Sequence, residues 1–253
     1  MTHSKIALVT GGSRGLGKDM AISLAQRGLD VILTYRSQKE GAEQVVREIE
    51  QLGRRAAVLQ LDVSDTQGFD EFVAAVGAQL QEKFGAPSFD FLINNAGIGV
   101  HHGFAETTEA EVDQLFNIHY KSPFFLTQKL LPLLRDGGGI VNISTGLARF
   151  ALPGYSAYAA MKGAVEVLTR YQAKELGARG IRANIVAPGA IETDFGGGVV
   201  RDNPDVNAYV SSMTALGRVG LPEDIGGVVA FLCTDDARWI NAQRIEVSGG
   251  QLI

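Results

Sequence analysis

The sequence predicts a single α/β domain, a doubly wound parallel sheet of about seven strands with helices on both faces. Three observations predict it. Short apolar runs alternate with longer amphipathic ones from end to end. Several short runs carry Val, Ile and Leu without polar alternation, as strands buried on both faces do. No proline-rich linker, repeat or composition break divides residues 1–253, so one domain covers the chain.

Taken in order, the strands are expected at Ile6–Thr10, Val31–Tyr35, Ala57–Leu61, Phe89–Ile93, Ile140–Ser144, Arg182–Val186 and Arg244–Val247. Helical periodicity fills the gaps at Leu16–Arg27, Lys39–Leu52, Gln67–Phe84, Glu109–Leu134, Tyr155–Ala178 and Pro222–Cys233. Gly53 stops the second of these. The stretch 195–214 fits neither pattern and carries Gly196-Gly197-Gly198, so it is expected to be a mobile lid over a site.

Composition narrows the function. The 31 glycines come with only 7 prolines and no collagen-like period, which excludes fibrous and low-complexity chains. A net charge of −5 with no long basic run argues against a nucleic-acid partner. No apolar stretch is long enough for a membrane span. The lone Cys233 lies in an apolar run and reads as a buried structural thiol in a reducing compartment. Met1 to Lys5 run straight into the first strand with no leader pattern, so a cytoplasmic setting is expected.

The first strand passes into Thr10-Gly11-Gly12-Ser13-Arg14-Gly15-Leu16-Gly17, and then into a helix. A loop there aims backbone N–H groups and the positive helix end at a phosphate. Gly12 to Lys18 also starts a triphosphate loop, but the position that should hold magnesium through a hydroxyl is Asp19. Gly11, Gly15 and Gly17 therefore suit a dinucleotide pyrophosphate. Such sites place an acid about 20 residues on, for a ribose 2′-hydroxyl. Here the second strand ends in Tyr35-Arg36-Ser37. A guanidinium and a hydroxyl there, with Arg14 nearby, favour the 2′-phosphate of NADP(H) over NAD(H).

Tyr158 and Lys162 are spaced i, i+4 on one helix face, so an ammonium can sit beside a phenol and favour its ionised form. Asn94-Asn95-Ala96-Gly97 closes the fourth strand, Asn142-Ile143-Ser144-Thr145 the fifth, and Pro188-Gly189 with Thr193 follows the sixth. Together, from Thr10 to Val247-Ser248-Gly249-Gly250, these motifs resemble the short-chain dehydrogenase/reductase family of ordinary length, a Rossmann-type fold. Within it the chain looks most like 3-oxoacyl-acyl-carrier-protein reductases and their relatives of other specificity.

The resemblance implies reversible hydride transfer between a nicotinamide and a ketone or secondary alcohol, with Tyr158 as general acid/base. It implies that Lys162 holds the nicotinamide ribose and depresses the tyrosine pKa, and that Asn117 helps hold a relay water. Asn94 to Gly97 would brace the sheet and line the adenosine side; Asp62 and Val63 would contact adenine. Pro188, Gly189, Ile191 and Thr193 would hold the carboxamide end. The family's serine, thirteen residues before the tyrosine, is Thr145 here. Thr145 is expected to orient the substrate, with Ser144 in reserve.

Relatives usually form tetramers through their two longest helices and C-terminal segment, and a homotetramer is expected. Those that act on acyl carrier protein use basic residues at the entrance. Arg179 is placed for that by resemblance, but Asp136 weakens the case, so a free small ketone is favoured. A non-catalytic NADP-binding sensor or scaffold remains the alternative outside enzymology, and Thr145 is the only feature that helps it. No metal is expected. His101-His102 reads as a loop pair without chemistry, and Trp239 as packing near the C-terminus or at a subunit contact.

Overall fold

The computed structural model describes residues 4–253. Met1-Thr2-His3, on which part of the expectation of no leader segment rests, lies outside the described residues. Seven parallel strands form one sheet in the order β3-β2-β1-β4-β5-β6-β7. Their ranges are β1 Ile6–Val9, β2 Asp30–Tyr35, β3 Ala56–Gln60, β4 Phe89–Asn94, β5 Leu134–Ile143, β6 Arg182–Pro188 and β7 Arg244–Val247. The order reverses between β1 and β4, which opens a crevice at the carboxyl ends of the strands.

Alternate side chains of each strand feed two cores. Ala7 and Val9 of β1 join the core packed on helices α1 (Gly15–Gln26), α2 (Lys39–Gln51) and, further along the chain, the last helix, Pro222–Leu232. Ile6 and Leu8 point the other way, into the core packed on α3 (Phe69–Glu82) and the helices that follow β4. This double burial is why the strands read as continuous apolar runs. Cys233 sits in the first core, and burial pushes its thiol up to about 12, so it is an inert packing group.

Three segments differ from the sequence expectation. The helix expected at Glu109–Leu134 is α4 (Glu109–Phe116) and α5 (Ser122–Leu130), joined by a π-helical turn at Asn117–Lys121. A π turn shifts every later side chain around the helix, which matters below. β5 begins at Leu134, not Ile140, with a register shift against β4 between Phe89 and Phe91. Gly137 sits at φ +78, and a Cβ on Gly138 would lie 2.3 Å from the Asp90 carbonyl oxygen, so the glycines that hid this strand are what let it pair.

The third segment is 195–214. It forms a short 3₁₀ turn (Phe195–Gly198) followed by α7 (Val199–Asp202) and α8 (Pro204–Ser212). Gly196, Gly197 and Gly198 all have positive φ, and Asn203 caps α8 through Asp205 and Val206. The long helix α6 (Ser156–Glu175) precedes β6, and α9 (Pro222–Leu232) completes the first core. Among the described residues no helix is long and apolar enough to cross a membrane. Trp239 is 95% exposed and does not pack against the C-terminal segment.

Candidate active site

The strand ends are locked to one another by buried polar side chains. Thr10, at the end of β1, accepts hydrogen bonds at Oγ1 from the Asn95 and Ala96 backbone N–H groups, each at 3.0 Å. Asn95 returns them, donating from Nδ2 to the carbonyls of Thr10 and Gly11 at 2.9 and 3.2 Å. The glycine loop is thus pinned to the end of β4. Deeper in, Asn94 donates to Thr127 and to Asn142, which in turn donates to Thr169 and Gln172. This buried chain joins β4 and β5 to α5 and α6, and it uses all four amide hydrogens.

Around this frame lies a cavity of about 580 Å³. At one end Gly11, Ser13, Arg14, Gly15, Leu16 and Gly17 line it at the start of α1. Gly11 and Gly15 have positive φ, and a Cβ on Gly17 would fall 2.1 Å from the Gly11 carbonyl oxygen. Only a glycine there lets the loop close against the helix. Tyr35, Arg36 and Ser37 border the same end, with Asp62, Val63, Asn95, Ala96 and Gly97 alongside. The phosphate-facing cradle with two arginines and no acid after β2 fits an NADP-type dinucleotide. Asp19 turns away from it. The carboxyl packs on α9 beside Gly226, and burial, with Glu223 adding to it, raises its pKa. The triphosphate alternative loses its eighth position altogether.

The middle of the cavity holds the titratable groups. Lys162 is buried and donates from Nζ to the Ile143 carbonyl at 2.8 Å; burial brings its pKa down to about 8. That ammonium lies 5.7 Å from the centre of the Tyr158 ring. Burial raises the Tyr158 phenol well above its ordinary value, while a hydrogen bond with Thr145 pulls the other way. The two hydroxyls at the end of β5 part company. Ser144 donates to Glu166 Oε1 at 2.6 Å, and Arg244 holds that same carboxylate at 2.8 Å. Thr145 faces Tyr158, and Arg244 fixes its carbonyl at 3.0 Å. Pro188, Gly189, Ile191 and Thr193 line the cavity opposite.

Two of the catalytic and cofactor residues expected from sequence do not line the cavity: Asn94, which is buried in the amide chain, and Asn117. Asn117 is the first residue of the π turn, and its place is taken two residues on by His119. Residues two apart on a helical turn point to nearly opposite sides, so the two side chains cannot share a face. The stripe Leu115, His119, Ser122, Leu126, Leu130, at spacings of four and three, could have shown His119 to be on the buried side. His101 and His102 do not line the cavity either. His102 meets Glu111 at 2.6 Å, and His101 packs edge-on against Tyr155 with ring centres 4.7 Å apart. Among the described residues no group of three or more His, Cys, Asp or Glu could hold a metal.

The family model described as enoyl-(acyl carrier protein) reductase matches residues 11–251. The hydroxynaphthalene reductase-like protein Arp2 of Metarhizium brunneum is 35% identical over 98% of this chain and 95% of its own. Among solved structures, the promiscuous reductase LugOII, which catalyses keto-reduction at C1 during lugdunomycin biosynthesis, superposes with a TM-score of 0.94. It is 37% identical, and the match covers 99% of both chains. The angucycline C-6 ketoreductase LanV, solved with bound NADP, gives a TM-score of 0.93 at 35% identity, again over 99% of both. With strand order, glycine cradle and Tyr158–Lys162 pair in place, the chain belongs to the short-chain dehydrogenase/reductase family. It is an oxidoreductase, and the NADP held by LanV agrees with the expectation drawn from Arg14 and Arg36.

The cradle makes a sharp prediction. Gly17→Ala should weaken NADPH binding by about 10-fold or more, because its methyl must displace the Gly11 carbonyl. Gly227→Ala, in α9 with nothing within 4 Å of the added carbon, should bind NADPH normally and gain about 0.5–1 kcal/mol of stability. Fluorescence titration and thermal unfolding of the two variants would read both effects.

Proposed function

We propose that this protein is an NADPH-dependent ketoreductase for a fused-ring, largely apolar ketone, working with Tyr158 as proton donor, Thr145 as carbonyl-orienting hydroxyl and Lys162 as the cation that supports the phenolate. The observation that carries it is the meeting of Tyr158, Thr145 and Lys162 in one cavity that runs from the glycine cradle into an apolar chamber. Bound NADPH would supply the hydride. Tyr158 stays protonated in its buried setting, which suits a group that must give a proton to the carbonyl oxygen as it becomes an alkoxide. Thr145 donates to that oxygen, and Lys162 stabilises the charge that the tyrosine is left with.

The chamber supports the substrate class. Leu147, Phe150, Leu152, Phe195, Val206, Tyr209 and Met213 line it and bring no charge. A flat hydrophobic ring system fills such walls better than a compact aliphatic ketone, which narrows the expected small-molecule substrate to that class. LugOII, LanV and Arp2, named for keto-reduction, angucycline and hydroxynaphthalene, support the same reading. An acyl carrier protein partner is disfavoured. The Arg179 guanidinium already donates to Asp136 and to the Leu131 and Leu134 carbonyls, which ties it to the protein's own groups. The segment 195–214 would serve as the lid, hinged at its three glycines. The exposed Phe116, Phe125, Val167 and Tyr171 on α4, α5 and α6 are the faces we assign to a homotetramer.

Assayed with a panel running from small ketones to fused-ring aromatic ketones, the protein should oxidise NADPH fastest with the latter and prefer NADPH to NADH. Preference for NADH, or turnover of small ketones alone, would sink the reading. Thr145→Ala should lose on the order of 100-fold in kcat, while Ser144→Ala, whose hydroxyl already serves Glu166, should lose far less.

A pH profile gives an independent check. Burial lowers the Lys162 pKa to about 8, so its charge is present below that pH and lost above it. The kcat/KM for NADPH, which reports on the free enzyme, should therefore fall as pH rises through about 8. A profile flat well beyond that point would remove the Lys162 charge from the mechanism.

A further inference from the structure

His119 is the one buried titratable group of the cavity that the roles above leave unused. It is 1% exposed, on the π turn between α4 and α5. Its ring stands edge-on to Tyr158, with centres 5.1 Å apart at 87°. On its other side a Cβ on Gly97 would lie 2.7 Å from its Cε1, so Gly97 is needed to admit the ring. The imidazole is wedged between the end of β4 and the proposed proton donor.

Its two nitrogens are in unlike settings. Nε2 lies 2.8 Å from the Ile98 carbonyl oxygen and 3.3 Å from the Ile98 nitrogen. The shorter contact is to an acceptor, so Nε2 carries the hydrogen and donates it. Nδ1 is then a bare lone pair, buried and without a partner among the described residues. Burial, with the Lys162 ammonium adding to it, keeps the ring neutral. A buried acceptor with no donor is costly unless a water donates to it.

We propose that His119, rather than Asn117, is the positioning residue that this helix contributes: tethered to Ile98 as the Nε2–H tautomer, it uses Nδ1 to hold a water that orients and solvates the Lys162–Tyr158 pair. The π turn has a purpose in this account, since it sets residue 119 against Tyr158. The role rests on the ketoreductase reading, and failure of the two is distinguishable. A wild type that reduces no ketone in the panel ends that reading, whereas an active wild type with indifferent His119 variants ends this one.

Three substitutions separate the nitrogens. Asn places an amide oxygen near the position of Nδ1, Gln places an amide N–H near that of Nε2, and Phe keeps the ring shape with neither. His119→Phe and His119→Gln should lose about 10- to 100-fold in kcat, with KM for NADPH and the thermal midpoint little changed. His119→Asn should recover most of the loss. If Gln is as active as Asn, the Ile98 tether is all that matters and the proposal fails. It fails also if Phe matches wild type, or if all three variants lose thermal stability in step with activity. Should Phe alone not fold, the Asn–Gln comparison decides.

Discussion

A lysine ammonium buried beside a tyrosine is the constraint on which the rest of the site depends. Among the described residues Lys162 has one acceptor, the Ile143 carbonyl at the end of β5, and burial alone works against its charge. A cation so placed is tolerated only where its remaining hydrogens meet polar partners, and in the proposed reading the hydroxyls of a bound nicotinamide ribose would supply them. Tyr158, one turn earlier on α6, is carried to the same spot by the same helix. Burial raises its phenol while the Thr145 hydrogen bond pulls the other way, and both depend on where α6 is seated.

The Asn94–Asn142 chain does this holding. It crosses the sheet and ends on Thr169 and Gln172 of α6, on the helix that carries both Tyr158 and Lys162. The Thr10–Asn95 exchange anchors the glycine cradle to the neighbouring strand end. Cradle and Tyr158 are therefore fixed to one frame of buried, mutually satisfied side chains. Such frames hold geometry better than isolated pairs because each amide loses all its partners if one element shifts. The Glu166–Arg244 pair adds a third anchor, fixing Ser144 by its hydroxyl and Thr145 by its carbonyl, so that the Thr145 hydroxyl faces Tyr158.

Much of this was legible in the residues. The seven strands follow from apolar runs, and the cofactor end from Gly11, Gly15, Gly17, Arg14 and Arg36, because both signals are local. What was missed has separate causes. Asn117 was placed by resemblance, whereas the buried stripe Leu115, His119, Ser122, Leu126, Leu130 carried a periodic signal for His119 that the resemblance left aside. β5 was cut short because Gly137 to Gly139 look like a break, whereas their lack of side chains is what lets the strand pair with β4. The chamber at 195–214 looked irregular because its two helices are short, and their apolar residues face a cavity in place of a core.

The central claim is that a phenol on α6 gives the proton while the cradle independently holds the dinucleotide. The most direct measurement is single-turnover oxidation of NADPH by Tyr158→Phe against wild type, with a fused-ring ketone at saturation and the NADPH dissociation constant measured alongside. The account predicts that NADPH binds both proteins with similar affinity while the chemical step in the variant slows by about 100-fold or more. Hydride transfer at the wild-type rate in the Phe variant would contradict it.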